Sequence, residues 1–425
     1  MIDRSVIPSV QNRFSITPFE PDEIKLDNGA SCFFIDGPKE QVLKINIIFY
    51  AGGKYAMPHI AKLANVLPAE GSVALPGSLL ANELDKYGAY FFQSVNNDFA
   101  SMTIICQKQY LENVLPLFFD AVMSPEMNPS VFQTKCKRSY NRSVEAYMQN
   151  GTLSDERLLP LVFGSEHPYS RVIKPEHYQN VPLDDVKQFH QQYYSLSNAF
   201  LMVVGHIDDE VKSTVSTIAN KYSKSGTVQK QAPFTKNPMP GSTVKLSNPY
   251  SQQANVSMGQ ATITKGNEDY IPLKITTTLL GGFFGSRLMQ NVREKSGYTY
   301  GIYATLMAYE NIGMLKISSD VKGDKANEVD KQIKENIEDL QRNKVGTEEL
   351  QRLKNYLNGE LLSSFDGLFA RDSSFIATHF YGLKLDYFIR FLDTVNAITP
   401  EKINEMANRY FALDDWSTVI VHPGE

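Results

Sequence analysis

The sequence repeats itself once, in order, on either side of its middle, and this duplication limits the fold more than any other feature. Two pairs of matching segments share an offset of 217 residues, and a third pair lies upstream at an offset of 208 to 209. A short insertion between the pairs would reconcile the two offsets. The pairs are 181–194 with 398–411, 201–204 with 418–421, and 77–88 with 285–297. A chain with this pattern is expected to fold as two similar domains.

A segment without hydrophobic periodicity separates the two halves. Residues 223–243 (SKSGTVQKQAPFTKNPMPGST) are rich in Ser, Lys, Gly and Pro, a composition typical of a linker. We therefore predict an N-terminal domain at 1–222, a linker at 223–243 and a C-terminal domain at 244–425. Because strands and helices alternate along both halves, we predict an α+β fold. Each domain should be a mainly antiparallel sheet with helices packed on one face.

Local patterns place the individual elements. The tripeptide Asp27-Asn28-Gly29 divides residues 24–35 into two strands, because it favours a type I′ hairpin turn. Residues 43–50 (LKINIIFY) alternate as a half-buried strand does. Helices are predicted at 58–69, 75–87, 108–123, 129–150 and 181–194, and further strands at 90–94, 98–106 and 200–204.

Composition and charge exclude several classes of protein. With 42% hydrophobic and 21% charged residues, the chain is not disordered, collagen-like or a coiled coil. A formal net charge of -5 provides no cationic surface for phosphate groups, so we expect no nucleic-acid partner. No apolar run reaches the roughly 18 residues that a membrane span requires, so we expect no membrane partner.

Cysteine usage and the first residues bear on the compartment. Cys32, Cys106 and Cys136 are far apart and form no C-x-x-C motif, which argues against a disulfide framework or a thiolate zinc site. The opening MIDRSVIPSV lacks the apolar region of a secretory signal. We therefore expect buried, reduced thiols and a cytoplasmic location.

The residue inventory contains no self-contained catalytic motif. No two of the seven histidines lie three to five residues apart on one helix, and phosphate-loop, dinucleotide and G-x-S-x-G fingerprints are missing. Residues 285–304 (GSRLMQNVREKSGYTYGIYA) predict a helix that carries Arg293 and ends at Gly297, followed by a strand at 298–304. Such a junction can direct a guanidinium and a phenol into one cleft. On spacing alone, a solvated helix face before an ordinary aromatic strand is the favoured interpretation.

Several segments together resemble the pitrilysin, insulysin and mitochondrial-processing-peptidase family of zinc proteases. They are LDNGASCFFI, INIIFYAGGKYAMP, EHPYSRVI, VPLDDVKQFHQQYYSLSNAFLMVVGHID and, most specifically, SRLMQNVREKSGYTYGIYA. The resemblance covers almost the whole chain. It implies two homologous α+β domains that face each other, in agreement with the duplication.

The resemblance fails at the zinc motif of the family. Active members carry H-x-x-E-H, in which two histidines bind zinc and the glutamate is the general base. Residues 70–72 (EGS) look like the segment that follows this motif. The residues that then occupy the three motif positions are Lys62, Asn65 and Val66. The distal glutamate ligand is replaced by Asn141 or Arg142, and Glu145 is out of frame. The resemblance therefore implies that this chain binds no catalytic zinc.

The arginine and tyrosine of the family's second domain are matched by Arg293 and Tyr300. The resemblance implies that this pair stabilises the oxyanion of a tetrahedral intermediate. The chain then looks like the zinc-less subunit of a heterodimeric peptidase, inactive alone, whose homologous H-x-x-E-H partner supplies zinc and the general base. Its expected substrate is an unstructured peptide, bound as an added strand at a sheet edge.

Three alternatives stay open. The first is a non-enzymatic structural or peptide-binding member, similar to the inactive core proteins of respiratory complexes, although retention of Arg293 and Tyr300 argues against it. The second is the leader-peptide-recognising subunit of a processing peptidase, whose long glycine-rich loop is missing here because GGFFG at 281–285 is short. The third is an independent enzyme with relocated ligands, which would require metal in the purified single chain.

Overall fold

The strands of the chain form two sheets, one from each half. The computed structural model describes residue 16 and residues 19–37, 41–223, 234 and 237–424. The strands of the first sheet are β1 (Asp22–Lys25), β2 (Ser31–Asp36), β3 (Val42–Phe49), β4 (Tyr90–Val95), β5 (Ala100–Gln107) and β6 (Ala199–Gly205). The strands of the second sheet are β7 (Thr243–Asn248), β8 (Gln253–Thr262), β9 (Tyr303–Ala308), β10 (Gly313–Lys322) and β11 (Ser417–Pro423).

The two sheets share one topology. The first has the order β1-β2-β6-β3-β5-β4 and the second has the order β7-β11-β8-β10-β9, so the orders coincide once β1 is set aside. In each sheet the last strand in sequence pairs parallel with one neighbour, and the other pairs are antiparallel. The predicted α+β fold from an internal duplication is therefore confirmed. The predicted linker 223–243 falls largely on residues outside the described ranges, so its bounds stay a prediction.

Helices connect the strands in both halves. The first half contains α1 (Pro58–Val66), α2 (Ser78–Lys86), α3 (Leu111–Met123), α4 (Pro129–Tyr147), α5 (Asn150–Phe163), α6 (Leu183–Tyr193) and α7 (Asp209–Lys221). The second half contains α8 (Tyr270–Thr277), α9 (Ala326–Arg342), α10 (Thr347–Ser363), α11 (Leu368–His379), α12 (Asp386–Ala397) and α13 (Pro400–Tyr410), with π-helical segments at Thr278–Gly282 and Met289–Lys295. Within the described ranges, none of these helices combines the length and apolar character needed to cross a membrane.

Strand β3 shows how the sequence builds the first core. Its residues Leu43, Ile45 and Ile47 are fully buried under the helical layer of the first half. The alternate residues were expected to face solvent, but Asn46 is 3% exposed and Ile48 is 1% exposed. The half-buried interpretation of β3 is therefore wrong, because the opposite face of the sheet is covered as well. In each sheet, we call the face opposite the helical layer of the same half the second face.

One helix from the opposite half covers part of each second face. Helix α11 packs on β2 and β6 of the first sheet, where Phe375 lies among Phe33, Phe200 and Met202. Helix α5 packs on β8 and β11 of the second sheet through a separate apolar cluster. The expected helical layer on one face is present, and the structure adds this exchange of helices between halves. Because apolar contact area is buried across both second faces, the exchange holds the halves together.

Candidate functional site

The three zinc-motif positions lie on α1, where they serve the fold. Lys62 is exposed, Asn65 is buried and Val66 is half-buried. The Asn65 amide donates to the backbone carbonyl of Ser101 at 3.4 Å and to the hydroxyl of Tyr194 at 3.3 Å. Asn65 thus ties α1 to β5 and to the end of α6. An amide in this position cannot act as a general base, because it has no basic group near neutral pH.

Two cationic side chains, Lys62 and Arg142, lie close together on α1 and α4, near the positions matched to the family's zinc ligands. Although the Lys62 side chain reaches the surface, neighbouring protein atoms partly desolvate its ammonium and lower its pKa, and the nearby positive charge of Arg142 on α4 lowers the pKa further. The sequence comparison places either Asn141 or Arg142 at the position of the distal ligand. In the described ranges, no group of three or more His, Cys, Asp or Glu side chains is placed to hold a metal ion. The residues present do not fit a zinc ion, because the positive charges of Lys62 and Arg142 would repel the cation.

Arg293 lies on the π-helical segment Met289–Lys295. The helix ends as the sequence predicts, because Gly297 adopts a φ of 64° and donates its N–H to the carbonyl of Arg293. The guanidinium lies 4.7 Å from the centre of the Phe284 ring, and its Nε is 3.6 Å from a carboxylate oxygen of Glu294. The side chain is 32% exposed. Arg293 is therefore held at the surface by an aromatic face while its charge stays accessible.

Tyr300 lies in a turn before β9, with its side chain 89% exposed. The predicted strand at 298–304 begins too early, because β9 starts at Tyr303. An ordinary strand tyrosine would bury at least one face of its ring against the sheet. The exposed position therefore contradicts the simple strand interpretation of this residue.

Hydroxyl groups on either side of the turn explain why the strand starts late. The Thr299 hydroxyl donates to the carbonyl of Asp320 at 2.6 Å and accepts from the N–H of Gly301 at 3.0 Å. The Ser319 hydroxyl donates to the carbonyl of Gly301 at 2.8 Å. These bonds take backbone groups that a regular ladder would use. The backbone is fixed on both sides of Tyr300, and the phenol is exposed to solvent.

A cleft of about 730 Å³ lies beside this turn, on the second face of the second sheet. We call it the Tyr300 cleft. Its walls come from β8, β9 and β10 and include Asn255, Tyr300, Thr305, Lys316, Ser318 and Asp320. Lys316 is paired with Asp155 of α5 at 2.5 Å. Asp320 accepts from the Asn255 amide at 2.9 Å. The cleft therefore contains one ion pair and one carboxylate whose partner is a neutral amide. Tyr300 lines the cleft, whereas Arg293 contacts Phe284 and Glu294.

Strand β9 forms one edge of the second sheet and borders the same cleft. It pairs with β10 on one side and is last in the strand order. Tyr303 and Thr305 on this strand are exposed and line the cleft. An exposed strand edge presents backbone N–H and C=O groups that can pair with an extended peptide. Tyr300 and an edge strand of the described sheet thus share one surface.

Sequence reasoning missed a buried polar network that joins the two halves. Lys54, which is 4% exposed, lies 3.2 Å from Asp98 and also pairs with Glu310 of the second half. Asp98 accepts from the hydroxyls of Tyr169 at 2.5 Å and of Tyr381 at 3.3 Å. The loop AGGKYAMP gave no sign of a buried charge, since its partners are distant in sequence. The network fixes the position of α11 relative to the first sheet.

The comparisons with known proteins agree on one family. Residues 180–357 match the family model described as the peptidase M16 inactive domain. A Bacillus subtilis protein named "Uncharacterized zinc protease YmxG" is 24% identical over 240 residues, 56% of this chain and 58% of that protein. A second one from the same organism, named "Probable inactive metalloprotease YmfF", is 24% identical over 278 residues, 61% of this chain and 62% of that protein. The matched segments thus span less than two thirds of these two relatives.

A solved structure has the same fold over nearly the whole chain. The crystal structure of a peptidase M16 inactive domain from Pseudomonas fluorescens superposes with a TM-score of 0.87 at 22% sequence identity. The match covers 96% of this chain and 99% of the other. At this level of identity the likeness concerns the fold, and it agrees with the two duplicated sheets described above.

Proposed function

Because the chain is a member of the M16 peptidase family that lacks the H-x-x-E-H motif, we propose that it is the zinc-less subunit of a heterodimeric metallopeptidase. A homologous partner with an intact motif supplies the zinc and the general base. This chain binds an unstructured peptide and directs Arg293 and Tyr300 towards the bond that is cleaved. We place the complex in the cytoplasm, because Cys32, Cys106 and Cys136 are buried free thiols that suit a reducing compartment.

The observation that carries the proposal is the exposure of Tyr300. A phenol that is 89% exposed stabilises nothing within its own chain, yet its backbone is fixed by Thr299 and Ser319. The fixed backbone limits the positions that the phenol can reach, and a donor held close to a developing charge is what oxyanion stabilisation requires. Tyr300 is thus positioned as a donor to a group brought by a partner or a substrate.

Arg293 adds a permanent positive charge to the same part of the domain. Stacking on Phe284 restricts the guanidinium while 32% of the side chain stays exposed. A guanidinium stays protonated at all physiological pH values and offers several donors in one plane. It can bind a peptide carbonyl in the ground state and the oxyanion after attack. Loss of Arg293 should therefore affect peptide binding as well as turnover.

The edge of β9 supplies the binding mode for the peptide. A peptide added to this edge would run along Tyr303 and Thr305 and pass Tyr300 at the start of the strand. Backbone pairing of this kind gives affinity without strict sequence requirements. The peptide must be extended to reach the strand edge, so a folded protein would be a poor substrate.

A second candidate function is a non-enzymatic peptide-binding or structural subunit. The family model is described as an inactive domain, and one of the relatives is named as an inactive metalloprotease. Such a subunit would use the same strand edge but would gain nothing from the Tyr300 hydroxyl. The two candidates therefore differ in whether turnover depends on that hydroxyl.

Co-expression tests the assembly. The chain is produced together with a homologue that carries H-x-x-E-H. The mixture is analysed by size-exclusion chromatography with light scattering and by zinc analysis. We expect a one-to-one complex with an interface above about 1,000 Å², about one zinc per complex as one partner motif implies, and peptidase activity only in the pair. The control changes the motif glutamate of the partner to glutamine, which should abolish activity but preserve the complex. Separate monomers at micromolar concentration, or zinc and activity in this chain alone, would overturn the proposal.

A further inference from the structure

A second cleft lies on the second face of the first sheet, under α11. Its volume is about 480 Å³, and its walls come from β3, β4 and β5 of the first half and from α11 and the loop after β8 of the second. We call it the Lys265 cleft. The residues that matter here are Lys44, Asn46, Ser101, Lys265, Asp372 and Tyr381. On its rim Ser94, Asn96 and Ser373 are exposed, so the cleft is open to solvent.

One of the two lysines in the cleft already has a partner. Lys44 lies 2.6 Å from a carboxylate oxygen of Asp372, which is 1% exposed. The same carboxylate accepts from the Asn46 amide, at 2.9 Å on one oxygen and 2.7 Å on the other. The negative charge of Asp372 is therefore shared between an ammonium and an amide. Its charge is balanced by Lys44, and within the described ranges it forms no salt bridge with Lys265.

The other lysine, Lys265, has neutral partners. Its ammonium donates to the backbone carbonyl of Ala377 at 3.1 Å and lies 4.6 Å from the centre of the Tyr381 ring. In the described ranges no carboxylate forms a salt bridge with it. Burial lowers the pKa of Lys265 to about 8, and the positive charge of Lys274 adds to the effect. A desolvated ammonium without a counter-ion is a cost to the fold unless a ligand provides the missing charge.

We propose that the Lys265 cleft binds a carboxylate group, brought by the C-terminus or by an acidic side chain of a peptide. The ammonium of Lys265 has donors that the Ala377 carbonyl does not use. The hydroxyls of Ser101 and Ser373 line the same space and can donate to the second carboxylate oxygen. A volume near 480 Å³ is in the range of small-ligand sites and suits a few residues of peptide. This site needs neither zinc nor a partner subunit.

Calorimetry on the isolated full-length chain tests the site with three short peptides. The first has neutral side chains and a free C-terminus, the second has an amidated C-terminus and one aspartate, and the third is neutral and amidated. We expect the third to bind at least about tenfold more weakly than the better of the first two, since it cannot complete the charge pair. The first two peptides distinguish a terminal carboxylate from a side-chain carboxylate. Equal binding of all three would overturn the proposal.

Matched lysine variants locate the carboxylate. Lys265→Met keeps the aliphatic stem and should weaken the carboxylate peptide by about tenfold or more. Lys331→Met is the control, because Lys331 is an exposed lysine of α9 outside the cleft, and it should change affinity by less than about twofold. Unchanged binding in a folded Lys265→Met protein would refute the site.

A measurement on the unaltered chain covers the case in which Lys265→Met does not fold. Acylation of each lysine by an amine-reactive reagent is followed by mass spectrometry with and without the carboxylate peptide. We expect the peptide to protect Lys265 selectively. Equal labelling of Lys265 in both samples would also refute the site. Neither measurement involves hydrolysis, so failure here is distinguishable from failure of the heterodimer.

Discussion

The Tyr300 cleft and the Lys265 cleft occupy equivalent places in the two halves, but they differ in charge. Each has a buried asparagine in its floor, Asn46 in the first sheet and Asn255 in the second, 209 residues apart as the upstream repeat requires. Each asparagine contacts the helix that comes from the opposite half. Asn46 donates to Asp372 of α11, whereas Asn255 accepts from the Ser154 hydroxyl of α5 at 2.6 Å. A contact between the halves is thus present at the equivalent position of both domains, but its chemistry differs.

The difference teaches how one scaffold can serve two kinds of binding. In the first half the contact is ionic, so the cleft contains charges that must be balanced, and Lys265 is the one left without a counter-ion. In the second half the Asn255 contact with α5 is neutral, and Lys316 is paired with Asp155 of the same helix. The Asp320 carboxylate has a neutral amide partner, and an exposed phenol stands beside it. A charged cleft suits recognition of a peptide carboxylate. A cleft with an exposed phenol and no unpaired ammonium among its described residues suits a peptide backbone.

The largest predicted effect on stability comes from removing the ionic contact. Asp372→Ala leaves Lys44 and the Asn46 amide without their shared acceptor in a buried site. Breaking a buried pair in this way typically costs about 3–5 kcal/mol of unfolding free energy. Urea denaturation followed by circular dichroism measures the change. The control is Asp366→Ala at an exposed site, which should stay within about 0.5 kcal/mol of the parent. If the unfolding free energy of Asp372→Ala changed as little as that of the control, the ionic contact would not distinguish the first half from the second.

The next predicted effect is that the stability of the first half depends on pH more strongly than that of the second. Burial lowers the pKa of His190 on α6 to about 4, and its Nε2 hydrogen-bonds the Val122 carbonyl at 2.9 Å. Burial and the charge of His177 lower the pKa of His59 to about 4 as well. The folded state therefore binds fewer protons than the unfolded chain below about pH 6.5. Stability is complete above about pH 6.5 and is lost as the pH falls through about 4, by up to about 3 kcal/mol for His190.

Hydrogen exchange can show where this acid sensitivity lies. The residue that matches His190 at the downstream offset is Ala407 on α13, which cannot take a proton. Between pH 7 and pH 5 we expect α3 and α6 to lose protection more than α13, after correction for intrinsic exchange rates. His190→Gln should reduce the loss, and its stability at pH 7.5 reports the packing change alone. Equal losses in both halves would show that the buried histidines do not set the acid response.

The smallest predicted effect comes from the neutral contact. Ser154→Ala removes one hydroxyl that donates to Asn255, but the Asn255 oxygen still accepts from Ser257 at 2.8 Å. Loss of such a bond typically costs about 1 kcal/mol, well below the value for Asp372→Ala. Denaturation of both variants under one set of conditions gives the comparison. An exposed serine on α10, changed as Ser363→Ala, is the control. Equal destabilisation by Ser154→Ala and Asp372→Ala would mean that charge is not what distinguishes the clefts.

Local sequence signals predicted the elements well. The turn at Asp27-Asn28-Gly29 joins β1 to β2 in an antiparallel hairpin, with Gly29 at a φ of 83°. The helix predicted from 129 begins at Pro129, because Asn128 accepts from the N–H groups of Ser130 and Val131. The Arg293 helix ends before Gly297 as predicted. Each of these features depends on residues that are neighbours in the sequence, so the sequence alone was enough to predict it.

Features that depend on distant residues could not be predicted. The polar residues Lys44 and Asn46 of β3 look like a solvent face, and only α11, more than 300 residues later, makes that face buried. Lys265 stands in ITKGNEDY, which looks like a solvated turn until α11 packs against it. Tyr300 was identified by resemblance, whereas its exposure depends on bonds from Ser319 across the sheet. The roles of Arg293 and Tyr300 stay predictions.

The most direct test of the proposed function is the turnover of Tyr300→Phe in a verified heterodimer. The change removes the hydroxyl alone, so ring packing and assembly should persist. If the phenol stabilises the oxyanion, kcat should fall by about 10²- to 10³-fold while KM changes less. The matched control is Tyr250→Phe, which removes the hydroxyl of an exposed tyrosine outside the cleft and should leave kcat within a few-fold of the parent. Peptide cleavage by Tyr300→Phe at the parent rate would contradict the account and favour a subunit that binds peptides without taking part in their hydrolysis.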